Sequence, residues 1–322
     1  MLDSLKKIIK PILHLLPSTD YAVLNSRLLF EIWLTFILDR SLTSMRDLFY
    51  KLNNSGIDLH ISTFSKACKS RRENYFYRIY YHLVNQLTQK NTVIKQALLP
   101  IDSTVIELTS KLFWAKKHYQ VKLLTGINLE SNNTVDFLIN FGQAHDAKFL
   151  EQVSTLIPDN TVGIMDRGFV SWDFIEEMCE FQTLFIVRTK NNMKTQFDHE
   201  RFRVVCFCSL EDNSEYHLAT NVKTMTDAEI AEAYRCRWQI ELLWKFLKSH
   251  LKLDELITKS HNGVTMQIIM SLISYLLLQL LEIPKIYGEK LIDKLRWLQF
   301  ILGRYFSFVH LRYDFLPEIL FS

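Results

Sequence analysis

A mixed α/β core with helical regions on either side is the fold class this 322-residue sequence predicts, and three observations predict it. Between residues 96 and 190, short apolar runs rich in β-branched residues alternate with stretches of helical periodicity. Outside that stretch the long apolar patterns follow helical spacing. Gly (8) and Pro (6) are scarce, which leaves little room for elaborate loops.

The first 95 residues read as helices. Tyr21 to Leu38 has helical apolar spacing, and Leu42 to Leu52 continues it. An Asn53-Asn54-Ser55-Gly56 turn follows, then a Ser/Thr-started segment from Ser62 to Arg72 that carries Lys66, Lys69, Arg71 and Arg72. This is the outline of a helix-turn-helix, with a turn longer than usual, and equally that of a helical bundle with a basic face. Tyr75 to Leu87 adds an aromatic-rich helix. Residues 1–100 hold 14 Lys/Arg against 7 Asp/Glu within a net charge of only +3, so the remainder is mildly acidic. A basic module of that kind suits a polyanion, and residues 1–95 are expected to bind DNA.

From residue 96 the pattern changes. Ala97 to Ile101 is a strand ending at Asp102; Val121 to Leu129 and Thr134 to Ile139 complete a meander. Asp146 to Leu156 is helical, and Val162 to Met165 is a buried strand ending at Asp166. Arg167-Gly168 turns the chain into a helix over Trp172 to Cys179, and Thr183 to Val187 is again a strand. Three strands, helix, strand, helix, strand and then a long helix is the order of a ribonuclease-H-like core, expected over residues 96–255. Phe202 to Ser209 and Glu215 to Asn221 form a hairpin within a β insertion at 189–222. Residues 256–322 make a C-terminal helical region, with an apolar helix over Val264–Leu281 and another over Leu291–Phe306. The run from Ile268 to Leu281 is broken by Ser271, Ser274 and Gln279, so it reads as a buried helix and not a membrane span.

The five cysteines, Cys68, Cys179, Cys206, Cys208 and Cys236, show neither a Cys-x-x-Cys pair nor a His at zinc spacing. They read as thiols of a reducing cytosol, and with no secretory signal at the N-terminus a soluble cytoplasmic protein is expected.

The segment Tyr234 to Lys248 is the most informative in the chain. On a single helix, Tyr234, Arg237, Glu241 and Lys248 fall within about 60° of one another, opposite an arc of Ile240, Leu242, Leu243, Phe246, Leu247 and Leu251. One acid among cations, edged by Trp238 and Trp244, suits a metal ligand beside phosphate-binding groups better than it suits charge balance. Asp102 or Asp166 alone is ordinarily a turn residue at a strand end. Together with Glu241 they supply three oxygen ligands, which select Mg²⁺ or Mn²⁺ over zinc, and two such ions can drive an in-line phosphoryl displacement. Tyr234, Arg237 and Lys248 would then hold the flanking phosphates.

Tyr234-x2-Arg237-x3-Glu241-x6-Lys248 resembles the Tyr-Arg-Glu-Lys signature of bacterial DDE transposases of the insertion-sequence-four family. Asp102-Ser103-Thr104 and Asp166-Arg167-Gly168-Phe169 are similar to that family's first and second acidic motifs, and the likeness extends over residues 96–280, including the Lys122 strand and His261-Asn262-Gly263-Val264. The resemblance implies cut-and-paste transposition: metal-dependent cleavage at the ends of an insertion sequence, then strand transfer into target DNA. It implies Asp102, Asp166 and Glu241 as metal ligands, with Tyr234, Arg237 and Lys248 near the scissile phosphate. It also implies a homodimer holding two double-stranded ends, and a hairpin intermediate steadied by an aromatic such as Trp172, Phe197 or Phe202. Another ribonuclease-H-like nuclease such as a junction resolvase, or an inactive DNA-binding relic, shares parts of this pattern. The basic N-terminal module and the intact acids favour the active transposase.

Overall fold

The computed structural model describes residues 3–304 apart from 55, 91–96, 109–118, 143–148, 191–192, 194–199 and 209–213. In chain order the helices α1 (Asp3–His14), α2 (Ser26–Leu38), α3 (Met45–Asn54), α4 (Ile61–Ser70) and α5 (Asn74–Lys90) come first. Strands β1 (Ala97–Glu107), β2 (Gln120–Asn128) and β3 (Asn133–Phe141) follow, then α6 (Leu150–Leu156), β4 (Thr161–Met165), α7 (Trp172–Glu180) and β5 (Phe185–Arg188). The hairpin β6 (Arg203–Cys208) and β7 (Glu215–Thr220) leads to α8 (Asp227–Arg235), α9 (Trp238–His250), α10 (His261–Leu280) and α11 (Leu291–Arg304). Two compact units result: residues 1–87, 108–117 and 246–322 form one, and residues 88–107 and 118–245 the other. The N-terminal and C-terminal helices therefore belong to a single unit.

In the helical unit, α2 and α10 are apolar around nearly their whole circumference, and both are buried on nearly every side. They pack on one another, and α10 also packs on α4. By length and composition α10 could cross a membrane, yet 94% of its most apolar window is buried inside the protein. Its polar interruptions have internal partners: Ser271 donates to the Leu251 carbonyl at 2.8 Å, and the Gln267 amide donates to the Lys252 and Glu255 carbonyls at 3.0 and 2.9 Å. Lys252 is itself 4% exposed and sits at φ +51°. Its ammonium donates to the carbonyls of Asp39 and Leu42 and lies 4.2 Å from the Phe36 ring centroid.

The helix expected over Ser62–Arg72 starts at Ile61 and ends at Ser70. Its cap is His60, whose ring accepts from the Ser62 amide at 3.2 Å, and not the Ser/Thr that the sequence pattern suggests. Lys66, Lys69 and Arg72 are exposed. Arg71 instead lies 3.7 Å over the Tyr21 ring, where burial lowers its pKa.

The other unit is built on a seven-stranded sheet of order β3-β2-β1-β4-β5-β7-β6. The antiparallel meander β1–β2–β3 is followed by parallel β4 and β5, reached through α6 and α7. This is the expected ribonuclease-H-like order. The hairpin at 203–220 does not stand apart as a subdomain: β7 pairs antiparallel with β5, and β6 with β7, so the same sheet simply widens. Both faces of the central strands are covered, which is why they read as unbroken apolar runs. On one face Met165, Phe185 and Val187 meet Val153, Leu156, Phe174, Ile175 and Met178 of α6 and α7. On the other, Val162, Ile164 and Ile186 meet Ile230, Ala233 and Tyr234 of α8. Gly163 is small because Ile157, just past α6, lies against its backbone and would collide with a Cβ.

The single helix expected over Tyr234–Lys248 is two. Helix α8 starts at a capping box of Thr226 and Glu229 and ends at Arg235. From Ala233 to Ile240 the hydrogen bonds step i→i+3, with Cys236 bonded to Ala233, Arg237 to Tyr234 and Ile240 to Arg237. That tightened turn separates Tyr234 and Arg237 from Glu241, which opens α9. The rotation also reassigns the faces: Leu242 is 43% exposed, whereas Trp244 is buried.

Candidate active site

The site is set by strand register. Parallel β1 and β4 pair Ala97 with Thr161 through Pro100 with Ile164, and the same register carried two residues further brings Asp102 level with Asp166. Strand β1 does not stop at Asp102. It continues to Glu107 paired with β2, Asp102 opposite Thr125, so Asp102 lies mid-strand at the point where β4 ends. Asp166 turns the chain there, its Oδ1 accepting from the Gly168 amide at 2.8 Å.

Burial, aided by Asp166, raises the Asp102 pKa to about 6, against the opposing pull of the Ser103 amide, Arg237 and Trp244. The indole Nε1 of Trp244 donates to Asp102 Oδ2 at 3.2 Å, tying α9 to β1. Glu241 has a different partner: Arg237 Nη2 donates to its Oε1 at 2.6 Å in a half-buried i,i+4 ion pair.

Tyr234, in the last turn of α8, is buried against Tyr216, ring centroids 6.1 Å apart. Tyr216 stacks in turn on Phe207 at 5.2 Å, and Arg188 lies 4.0 Å over its ring. Burial raises the Tyr234 phenol, while Arg237 and Arg188 lower it. Lys248 is in the last turn of α9, within the part of that helix assigned to the helical unit. Trp172 and Phe202 pack together at 6.5 Å with Phe202 buried, and Phe197 lies outside the described residues.

Arg188 and Lys190 escaped the sequence reading, and Arg167 entered it only within the second acidic motif. Arg167, Arg188 and Lys190 line a cavity of about 500 Å³ beside Asp166, with Gly168, Thr189, Glu215 and His217. Lys190 also donates to the Val170 carbonyl at 3.1 Å. Their signal was the Arg-x-Lys alternation at the end of an apolar strand, which puts both side chains on one face of its extended chain. Trp244 left no comparable signal, because nothing in the spacing ties a tryptophan on α9 to a strand 142 positions earlier.

Hard oxygen donors on two adjacent strands, one protonating at unusually high pH, fit a divalent cation of the Mg²⁺ class. Among the described residues no three His, Cys, Asp or Glu side chains are gathered as a ready metal cage. Glu241 is paired with Arg237.

Residues 95–277 match the family described as Transposase DDE domain. A relative named as a transposase for insertion sequence element IS4SA, from Synechocystis, is 40% identical over 333 residues, spanning 96% of this chain and 98% of its own. The chain belongs to the insertion-sequence-four family of DDE transposases. Another relative, named as a transposase for insertion sequence element IS5377 of Geobacillus stearothermophilus, is 24% identical over 255 residues, covering 68% of this chain and 67% of its own. The fold is shared with the piggyBac transposase in its synaptic complex with hairpin DNA, at a TM-score of 0.54 and 11% identity, covering 99% of this chain and 83% of that one. Transposases of this family cut and join DNA with DDE chemistry and use divalent metal ions.

Proposed function

We propose that this transposase moves its insertion sequence by cutting both ends of the element and joining them to target DNA, with Asp102, Asp166 and Glu241 as the ligands of two Mg²⁺ or Mn²⁺ ions. The observation that carries this reading is the half-buried Asp102–Asp166 pair on adjacent strands, with Glu241 presented by the helix whose Trp244 grips Asp102. Bound there, divalent cations would activate the attacking oxygen and neutralise the leaving one.

The protein's own residues supply order around that centre. Trp244 fixes one oxygen of Asp102, and the Gly168 amide fixes one of Asp166. Arg237 holds Glu241 until its guanidinium finds a phosphate, which links DNA arrival to release of the third carboxylate. Tyr234, Arg237 and Lys248 position DNA near the scissile bond, and Lys66, Lys69, Arg71 and Arg72 contribute to end binding. In this division residues 1–95 recognise DNA, 96–255 perform the chemistry, and 256–322 complete the helical unit with the N-terminal helices. The working form is a cytoplasmic, nucleoid-associated homodimer on two double-stranded ends, with no membrane partner.

The test is cleavage of a DNA end in Mg²⁺. Asp102→Ala, Asp166→Ala and Glu241→Ala should each abolish cutting while DNA binding persists. Near-normal cutting by any one removes that residue from the centre.

A further inference from the structure

We infer that the helical unit carries a second DNA-contacting site: a groove that grips the phosphodiester backbone of duplex DNA without reading its sequence. The inference rests on the proposed DNA-transposing function and adds to it a site that the family signature does not touch.

The groove encloses about 1140 Å³ between α3, α4 and the segment leading into α10. Its cations come from three separate elements: Arg46 at the start of α3, Lys69 near the end of α4, and Lys259 just before α10. All three are exposed, and among the described residues no carboxylate lines the groove. Cations spread over a volume this large suit an extended polyanion better than a single small anion.

One wall is rigidly built. The Asn262 amide donates to the carbonyls of Cys68 and Arg71, and Ser260 donates to Cys68 at 3.3 Å, so the start of α10 is fastened to the end of α4. Ser260 is also the N-cap of α10, accepting from the Gly263 amide at 3.1 Å. The positive end of a 20-residue helix therefore opens onto the groove. Thr258, 3% exposed, backs this wall, its hydroxyl packed against the first turn of α10, 2.7 Å from where a Cβ on Gly263 would be.

The experiment compares two charge-matched double variants of the full chain. Arg46→Ala/Lys259→Ala removes groove cations that have no part in end binding; Lys285→Ala/Lys290→Ala removes two exposed lysines elsewhere in the unit. Fluorescence anisotropy gives Kd for a mixed-sequence duplex over a salt series. The groove pair should lower the slope of log Kd against log salt by about two, roughly one per phosphate contact, and weaken terminal-repeat and mixed duplexes equally. The control pair should leave the slope unchanged. Equal slopes for both pairs, displacement of duplex by millimolar inorganic phosphate, or a matching loss confined to RNA would each overturn the groove. If the groove pair keeps the wild-type slope while Asp102→Ala still abolishes cutting, the groove fails and the transposase reading stands.

Discussion

Trp244 donates its indole N–H to Asp102 Oδ2 across 3.2 Å, joining the helix that carries one catalytic candidate to the strand that carries another. The bond restricts Asp102 to one orientation in a half-buried setting. Trp244→Phe keeps an aromatic ring, removes the donor and leaves a cavity where the second ring of the indole lay. Cleavage should fall roughly tenfold to a hundredfold, the range in which small misplacements act, beyond what the modest drop in melting temperature explains. Single-turnover cutting together with thermal unfolding checks this; unchanged cutting would deny Trp244 a positioning role.

Arg237 and Glu241 form a tight ion pair, so Arg237 competes with any cation for that carboxylate. Arg237→Gln should lower the Mg²⁺ concentration needed for half-maximal cutting while also reducing the maximal rate, because a phosphate contact is lost. Glu241→Asp should raise the metal requirement. Metal titrations of the two variants decide it. A raised requirement for Arg237→Gln would mean that the guanidinium assists metal binding.

The raised pKa of Asp102 has a stability consequence with a definite sign. The folded form holds its proton up to about pH 6, against an ordinary value of 3.8. Between those values the unfolded chain has released the proton and the folded one has not, so stability falls as pH rises through this window. Asp102→Asn removes the penalty and can still accept from Trp244. Without divalent metal it should be more stable than wild type at pH 8, by up to about 3 kcal/mol, and equal to it near pH 3. Thermal melts at the two pH values test this, and a gain that persists at low pH would point to another cause.

Lys252 closes the end of the helical unit with a buried ammonium on two carbonyls. Lys252→Met preserves much of the stem but takes the ammonium from both carbonyls, leaving the Asp39 carbonyl with the Leu42 amide alone. It should destabilise the protein by about 2–4 kcal/mol, read from urea unfolding. A loss under 0.5 kcal/mol, roughly the level of an ordinary surface change, would show that water replaces the ammonium.

Much of this molecule was legible in advance because its signals are local or strictly periodic. Apolar runs such as Val162–Met165 marked strands buried on both faces, and the acid following each run marked the candidate carboxylates Asp102 and Asp166. What stayed hidden depended on partners distant in sequence. The continuation of β1 past Asp102 is dictated by pairing with β2, and the widening of the sheet by β7 finding β5. The break at Cys236–Arg237 was missed because neither Pro nor Gly marks it; tertiary packing of Tyr234 on one side and Trp244 on the other imposes it.

The mutual burial of α2 and α10 governs when the protein can fold. Residues 26–38 leave the ribosome early, yet the helix that covers them is encoded beyond residue 260. During most of synthesis the nascent chain therefore presents an unshielded greasy helix, while the sheet-bearing insert can already assemble between the two halves. A message truncated anywhere before α10 yields a product whose first hydrophobic helix lacks its mate and is prone to capture by chaperones and proteases. A chain that has reached α10 can cover α2 and close the helical unit.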